Sequence, residues 1–234
     1  MRKVICLSIF AGVLALASCS KKTPEPTPTP TPTPVPKAKV MYMNFGTGLG
    51  NLYIKVNDSA LSTAASIAYL ASTGYVDVTV GTSIKSSFYQ VSGNSLLLDT
   101  TMALVANANY TIVMGGTAAP ASPATLVAVT DDLTAPAAGK AKVRVINLST
   151  NNYSESLYVD TAAVISGINY KAVSSFTEVP AGNYAITVFD PAHPTLQKQV
   201  TQNYASGKIY TFVLAGKYVS ATDNTLTLTA IANN

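Results

Sequence analysis

Side chains that act as nucleophiles, proton carriers or soft metal ligands are scarce in this chain of 234 residues. His193 is the one histidine, and it stands between Ala192 and Pro194 in a predicted turn, which is typical of a solvated residue. The two cysteines, Cys6 and Cys19, both lie close to the N-terminus. Catalysis by a Cys–His pair and zinc binding need such residues clustered. The sequence therefore predicts no catalytic residue and no metal ligand.

Carboxylates are the remaining candidates, because a pair can carry acid–base catalysis and several together can bind calcium. Their spacing singles out no two of the dispersed acidic residues Asp58, Asp77, Asp99, Glu155, Asp160, Glu178 and Asp190. Asp131 and Asp132 are adjacent near the end of a predicted strand, and we interpret them as a solvated edge charge. The acidic residues thus indicate neither a catalytic pair nor a calcium site, and no cofactor is implied.

Tyrosines are more informative, with 13 in the chain. Tyr153, Tyr204 and Tyr218 lie in or beside predicted loops and have no tyrosine equivalent in the internal repeat described below. An aromatic face can stack on a sugar or anchor a protein interface. These three are the candidate ligand-binding residues, and the alternative is that they are surface tyrosines without a ligand.

The N-terminus has the features of an export signal. Met1-Arg2-Lys3 is positively charged and precedes the mostly apolar Val4 to Ala17, a run of 14 residues. Spanning a bilayer takes about 20 residues, so this segment targets the chain and does not anchor it. Leu16-Ala17-Ser18-Cys19 resembles the lipobox of bacterial lipoproteins. Ala15-Leu16-Ala17 also fits an ordinary secretion site, which would leave Cys19 as a lone free thiol.

The lipobox resemblance implies that residues 1–18 are a signal peptide and that Cys19 carries a diacylglycerol thioether and an amide-linked acyl chain. Several acyl chains anchor a protein durably on membrane lipid, where one binds marginally. Ser20 resembles the residue found in lipoproteins sent to the outer membrane. We therefore expect a lipid-anchored protein of the outer membrane, on its periplasmic or its cell-surface side.

A proline-rich linker completes residues 19–36. Seven prolines alternate mainly with threonine from Thr23 to Pro36. Proline holds φ near the polyproline value, so these 14 residues extend over roughly 40 Å. We interpret the linker as a spacer.

The body of the chain, residues 37–234, contains an internal repeat. Lys37-Ala38-Lys39-Val40 recurs as Lys140-Ala141-Lys142-Val143. Further matches follow in the same order, with an offset that drifts from 105 to 100: Asn44 with Asn147, Leu52-Tyr53 with Leu157-Tyr158, Ile67 with Ile168, Tyr69 with Tyr170, Val78 with Val179, and Tyr110-Thr111 with Tyr210-Thr211. The order predicts a duplication into domains 37–135 and 140–234, in which the matched tyrosines are core or corner residues.

Hydrophobic residues alternate with polar ones within each copy. Basic residues alternate with alanine and valine from Lys140 to Val145, which predicts a half-buried strand with Arg144 on its polar face. Turn signals such as Val179-Pro180-Ala181-Gly182-Asn183 separate about seven short strands per copy. We therefore predict an all-β protein of two tandem antiparallel immunoglobulin-like β-sandwiches.

A family resemblance rests on four stretches of the second copy: Lys140 to Asn147, Leu157 to Asp160, Val179 to Tyr184 and Gly207 to Thr211. They are similar to the domain of unknown function 4397 family, bacterial extracytoplasmic sandwich domains that are often tandem and lipid-anchored. The first copy matches more loosely. The resemblance implies fold and location and brings no catalytic residues.

Composition narrows the functional classes. Charged residues make up 11% of the chain, against roughly 25% in typical soluble domains, which favours an extracytoplasmic β-protein over a cytosolic enzyme. The formal charge of +4 falls to +2 without Arg2 and Lys3, and the remaining lysines are scattered. No basic stripe for nucleic acid is present.

We therefore expect a membrane-anchored, non-catalytic lipoprotein of the cell envelope with a structural or adhesive role, whose partner is a glycan or a surface protein. The alternative is a glycan-binding accessory lipoprotein of a polysaccharide uptake system. A fimbrial subunit is less favoured, because such lipoproteins are typically trimmed after an arginine near the start of the body, and Arg144 lies within a predicted strand. An enzyme is the least favoured class.

Overall fold

The structure is a computed structural model that describes residues 34–61, 66–118, 123–151, 153–217 and 225–234. The predicted signal peptide, Cys19 and Tyr218 lie outside the described residues. Within the described ranges, no helix has the length and apolarity needed to cross a membrane. Residues 35–234 form one compact unit.

Repeat 1, residues 37–131, forms eight strands among the described residues: β1 (Lys37–Asn44), β2 (Leu52–Val56), β3 (Ser59–Ala60), β4 (Ala71–Thr79), β5 (Gly81–Gln90), β6 (Ser95–Leu104), β7 (Asn109–Gly115) and β8 (Thr125–Asp131). They make two sheets with strand orders β4-β1-β7-β8 and β3-β2-β5-β6. We call the first the inner sheet and the second the outer sheet.

Repeat 2, residues 140–232, forms the same eight strands in its described part: β9 (Lys140–Ser149), β10 (Glu155–Val159), β11 (Ala162–Ile168), β12 (Thr177–Pro180), β13 (Gly182–Phe189), β14 (Lys198–Tyr204), β15 (Ile209–Gly216) and β16 (Thr227–Ala232). The inner sheet has the order β12-β9-β15-β16 and the outer sheet β11-β10-β13-β14. The prediction of two tandem β-sandwiches is confirmed. One neighbouring pair in each inner sheet, β1 with β7 and β9 with β15, is parallel.

Alternation along the strands fills a core between the two sheets of each repeat. In β1, Ala38, Val40 and Tyr42 face this core and are fully buried. Ala141, Val143 and Val145 do the same in β9. Because the period-two pattern is local, it predicted these strands correctly.

A third apolar cluster joins the two sandwiches across the outward faces of their inner sheets. Its buried members come from both repeats: Met41, Met43, Phe45, Val113, Val127, Ile146, Leu148, Val213 and Ala215. The strands β1 and β9 are therefore buried on both faces from Val40 and Val143 onward. The two sandwiches are therefore joined by a shared apolar cluster as well as by the segment that connects them.

This shared core corrects the prediction for Arg144. The alternation in β9 placed Arg144 on a half-buried, polar face, but its exposed fraction is 1%. Its guanidinium contacts Asp131 and Thr111 of repeat 1 and Thr211 and Phe176 of its own repeat. Asp131, predicted to be a solvated edge charge, is also buried, while Asp132 remains exposed.

Strand register also corrects the alignment of the two copies around β2 and β10. Leu52 bridges to Ile67, and the position that pairs with Ile168 in repeat 2 is Glu155. The local offset is therefore 103, and Leu52 aligns with Glu155, not with Leu157. A two-residue shift keeps every side chain on the same face, which is why apolar matching alone did not detect it.

Candidate binding site

The predicted ligand-binding tyrosines fall in different environments. Tyr153 lies in the β9–β10 connection and is half-buried. Tyr204 ends β14 with an exposed fraction of 1%, its ring within 5.5 Å of the Tyr210 ring and 6.2 Å of the Phe212 ring, between centroids. A ring enclosed in the core cannot stack on an external ligand, so the prediction for Tyr204 is wrong. Tyr204 pairs with Gly182 just as Leu104 of repeat 1 pairs with Gly81, so Leu104 is its equivalent. The apolar character of Leu104 was the sequence signal that this position is buried.

The tyrosines matched between the repeats divide into two groups. Tyr110 and Tyr210 are buried, and their hydroxyls accept hydrogen bonds from the backbone N–H of Val105 and Ala205, each at 3.1 Å. This is the tyrosine corner of immunoglobulin-like sandwiches. Tyr53 instead is half-buried on an outer sheet, where it stacks on Tyr89.

Tyr158 is also half-buried on an outer sheet and stacks on Phe189. The prediction of a core or corner role thus fails for Tyr53 and Tyr158. These two residues are also not equivalent, because Lys55 is the residue that aligns with Tyr158.

A buried asparagine holds the loops at one end of each sandwich. Asn44 donates its amide hydrogens to the carbonyls of Gly50 at 2.9 Å and Ile67 at 3.0 Å. Asn147 donates to the carbonyls of Tyr153 at 3.4 Å and Ile168 at 2.8 Å. The matched asparagines are therefore structural clamps, and Asn147 fixes the backbone of Tyr153.

Four side chains of repeat 2 meet at this end, and we call them the loop-end cluster: Tyr153, Glu155, Asp190 and His193. The Tyr153 and His193 rings stack with centroids 4.2 Å apart and an interplanar angle of 24°. His193 Nδ1 lies 3.1 Å from Asp190 Oδ2, and the Ala192 N–H donates to Asp190 Oδ1 at 2.9 Å. That N–H donation, the largest cause, holds the pKa of Asp190 below its usual range.

Glu155 is the unusual member of the loop-end cluster. Its exposed fraction is 2%, and its Oε2 atom has no hydrogen-bond partner among the described residues. Burial first, and the charge of Asp190 second, raise the pKa of Glu155 to about 7, while His193 acts in the opposite direction. The carboxyl group can therefore gain or lose a proton near neutral pH.

Comparison with repeat 1 shows that the loop-end cluster is an addition to the shared fold. In repeat 1, Leu52 pairs with Gln90 across β2 and β5. The corresponding positions of repeat 2 are Glu155 and Asp190, one step beyond the pair of Ser156 with Phe189. The connection between β5 and β6 has four residues, whereas that between β13 and β14 has eight and carries His193. The two copies of the fold thus differ in chemistry at this end.

A second polar assembly lies at the seam between the sandwiches. Arg144 Nη1 lies 2.6 Å from Asp131 Oδ1 in repeat 1. Arg144 also donates through Nη2 to Thr111 Oγ1 at 3.0 Å and through Nε to Thr211 Oγ1 at 2.8 Å. The Phe176 ring lies against the guanidinium, with 4.5 Å from Cζ to the ring centroid.

Hydrogen bonds close this seam assembly into a ring. Thr111 and Tyr75 donate to Asp131 Oδ2 at 2.7 and 2.6 Å. Thr211 donates to Asn233 Oδ1 at 2.7 Å, and Asn233 Nδ2 donates to the Tyr75 hydroxyl at 3.1 Å. Burial and the Asp131 carboxylate raise the pKa of Tyr75, so its hydroxyl stays a donor. One ion pair and a chain of hydrogen bonds thus connect the two repeats across the seam.

A pocket of about 380 Å³ opens beside this seam. Residues of β8 and the segment after it form one wall, and the segment before β12 forms the other. The part of the chain that the structure describes holds no group of three or more His, Cys, Asp or Glu side chains placed to bind a metal ion. Among the described residues, the loop-end cluster and the seam each contain buried ionisable side chains: Glu155 in the first, Arg144 and Asp131 in the second.

Comparison with known proteins gives one family. The sequence profile of the family described as "Domain of unknown function (DUF4397)" matches residues 38–154 and 155–234. The boundary between the two matches falls after β9, whereas the structural repeat begins with β9. No curated protein matches the chain.

Among solved structures, one similar chain is CBMbc (family CBM26) from Eubacterium rectale Amy13K, crystallised in complex with maltoheptaose. The two chains are 14% identical, and their alignment covers 82% of the present chain and 95% of the CBM26 chain, with a TM-score of 0.28. A likeness at this TM-score assigns neither a ligand nor a site to the present chain.

Proposed function

Since this chain belongs to the DUF4397 family, a domain family of unknown function, we propose its role from its own residues: a lipid-anchored, non-catalytic protein of the cell envelope that holds a two-sandwich body away from the outer membrane in a structural or adhesive role. Cys19 supplies the lipid anchor, and the proline-rich linker sets the distance between the membrane and the body. The protein thereby presents its body to a glycan or surface protein.

The observation that carries this proposal is the shared core between the two sandwiches. A body joined only by residues 132–139 would bend between its domains. The third apolar cluster and the buried pair of Arg144 with Asp131 instead make residues 35–234 one compact unit. Such a body suits presentation and load bearing, because its loop ends keep a fixed position relative to the start of β1.

The anchor is tested by metabolic labelling with an alkyne-bearing palmitate in the bacterium that encodes the protein. Wild-type protein is expected to incorporate label, and Cys19→Ala to lose both label and membrane association. Cys6→Ala is the matched control, because Cys6 lies in the predicted signal peptide. Equal labelling of Cys19→Ala and wild type would rule out anchoring through Cys19. Protease treatment of intact cells separates a cell-surface from a periplasmic location.

A second candidate function is glycan capture, and the loop-end cluster of repeat 2 favours it. The stacked rings of Tyr153 and His193 lie at a loop end, and the His193 side chain is 45% exposed. Screening the mature chain against a glycan panel tests this function. Binding that is lost in Tyr153→Ala and kept in Tyr89→Ala, a half-buried tyrosine of repeat 1, would support the loop end as the site. Uniform absence of binding would exclude glycan capture.

A further inference from the structure

The pocket beside the seam exists because the two sandwiches are fused. Its lining comes from repeat 1, through Val129 and Thr130, from Asp132 in the joining segment, and from repeat 2, through Arg144, Ser175 and Phe176. Its volume of about 380 Å³ lies within the range of small-ligand sites, which begins near 300 Å³. A ligand there would touch both repeats at once.

The charges that line the seam pocket are already paired. Arg144 is bound to Asp131, and both side chains are buried. Asp132 at the rim lies 3.4 Å from Lys142 Nζ, and its Oδ1 accepts hydrogen bonds from Thr134. An ionic ligand would therefore find no unpaired opposite charge, and its desolvation would not be offset.

The uncharged part of the lining is amphipathic. Val129 and Phe176 give apolar contact, while the exposed Thr130 and Ser175 sit beside them with hydroxyl groups that both donate and accept. A wholly apolar ligand would desolvate these hydroxyls without replacing their hydrogen bonds. A pyranose ring suits the combination, because it has C–H groups on its faces and hydroxyls around its edge.

Phe176 is held in place for such a contact. The Arg144 guanidinium lies over its ring, and Thr177 in the next position begins β12. The residue in the corresponding place of repeat 1 is Tyr75, which pairs with Met41 and whose hydroxyl is bonded to Asp131 and Asn233. Phe176 has no hydroxyl with which to form the hydrogen bonds that Tyr75 makes, and its ring lines the seam pocket.

We propose that the seam pocket binds a neutral saccharide, with Phe176 against the sugar ring and Thr130, Ser175 and Asp132 toward its hydroxyls. The proposal rests on the second candidate function, glycan capture, and adds the seam pocket as a site for it besides the loop-end cluster. It does not depend on anchoring through Cys19.

The test is isothermal titration of the mature chain with neutral tetrasaccharides of glucose, mannose, galactose and xylose, and with an oligogalacturonate as the charged comparison. Ser175→Trp fills the pocket from an exposed position, and Phe176→Ala removes its wall. Each is expected to raise the Kd of the bound tetrasaccharide at least tenfold. Tyr89→Ala, which changes a half-buried tyrosine on the outer sheet of repeat 1, is expected to leave the Kd unchanged. Thermal unfolding of Ser175→Trp with an unchanged midpoint verifies that the variant is folded.

The outcomes separate this site from glycan capture in general. Binding lost in Tyr153→Ala but kept in Ser175→Trp would leave glycan capture standing and overturn the seam site. Binding that prefers the oligogalacturonate would overturn the neutral ligand class. Failure of every saccharide to bind would overturn both the seam site and glycan capture.

Discussion

The Nη1 atom of Arg144 lies 2.6 Å from the Oδ1 atom of Asp131, and both side chains are buried between the two sandwiches. The other repeat has Met41 at the position of Arg144, since each faces a threonine of the neighbouring parallel strand. Asn233 takes the position of Asp131 at the end of the last strand. Two similar inner sheets thus meet face to face, and one ion pair makes their interface asymmetric.

We expect Arg144→Met to lower the free energy of unfolding by about 3–5 kcal/mol, because it leaves the Asp131 carboxylate buried without its cation. Adding Asp131→Asn, which copies Asn233, should recover most of that loss. Urea denaturation of the two single variants and the double variant measures the coupling. Additive losses in the double variant would show that the two side chains stabilise the seam independently.

Glu155 should make the stability depend on pH. Its pKa is about 7 in the folded protein against an ordinary value of 4.5, so the folded state keeps a proton that the unfolded state has released between these values. The contribution is full below pH 4.5, decreases as the pH rises through 7, and is constant above. We expect a decrease on the order of 3 kcal/mol, measured by urea denaturation from pH 4.5 to 8.

Glu155→Gln is the control for this pH dependence, because the amide does not titrate. The difference between wild type and variant isolates Glu155 from the neighbouring Asp190 and His193. Glu155→Leu copies Leu52 of repeat 1 and should stabilise the protein at pH 8. Identical pH profiles for wild type and Glu155→Gln would contradict a raised pKa.

Two buried tyrosines should respond oppositely to removal of the hydroxyl. Tyr210→Phe leaves the N–H of Ala205 without its acceptor and should cost about 1–2 kcal/mol. The Tyr204 hydroxyl has no partner among the described residues, so Tyr204→Phe should be neutral or slightly stabilising. Thermal or urea unfolding of the two variants checks the contrast. A loss in Tyr204→Phe equal to that in Tyr210→Phe would indicate a hydrogen bond at Tyr204.

Asn147→Ala should release the loop that carries Tyr153. Its side chain bonds the carbonyls of Tyr153 and Ile168 and accepts from the Ser149 N–H, so we expect a loss of about 2–3 kcal/mol. Amide hydrogen exchange should rise in residues 149–155. Asn44→Ala is the matched variant in repeat 1 and should raise exchange near Gly50 instead. Faster exchange at both ends in either variant would mean that the two clamps are coupled through the shared core.

The elements of this fold were predictable from local pattern. Alternation in β1 and β9 and the ordered repeat of short matches predicted strands, sandwiches and duplication, because side chains in a strand alternate between its two faces whatever lies beyond them. The matched Tyr110 and Tyr210 were correctly assigned to packing. The export signal, Cys19 and the spacer role of the linker remain predictions from sequence, since residues 1–33 lie outside the described residues.

What covers each face was decided by the tertiary structure. Arg144 looked solvated because it lies at a polar position of its strand, and Asp131 because it stands beside Asp132 near the end of a strand. Nothing in either strand shows that another sheet will pack there. Tyr204 looked like a loop residue because it ends a strand, but its ring is buried against Tyr210 and Phe212 in the core of repeat 2. The loop-end cluster brings together Glu155, at the start of β10, and His193, in the connection between β13 and β14.

The sequence by itself thus determined the strands and the duplication, and it predicts a lipid anchor. Each rests on short stretches of neighbouring residues. Only the tertiary structure decided the seam, its pocket and the buried Glu155. These depend on contacts between residues far apart in sequence, and burial by a partner sheet changes both the charge and the accessibility of a side chain.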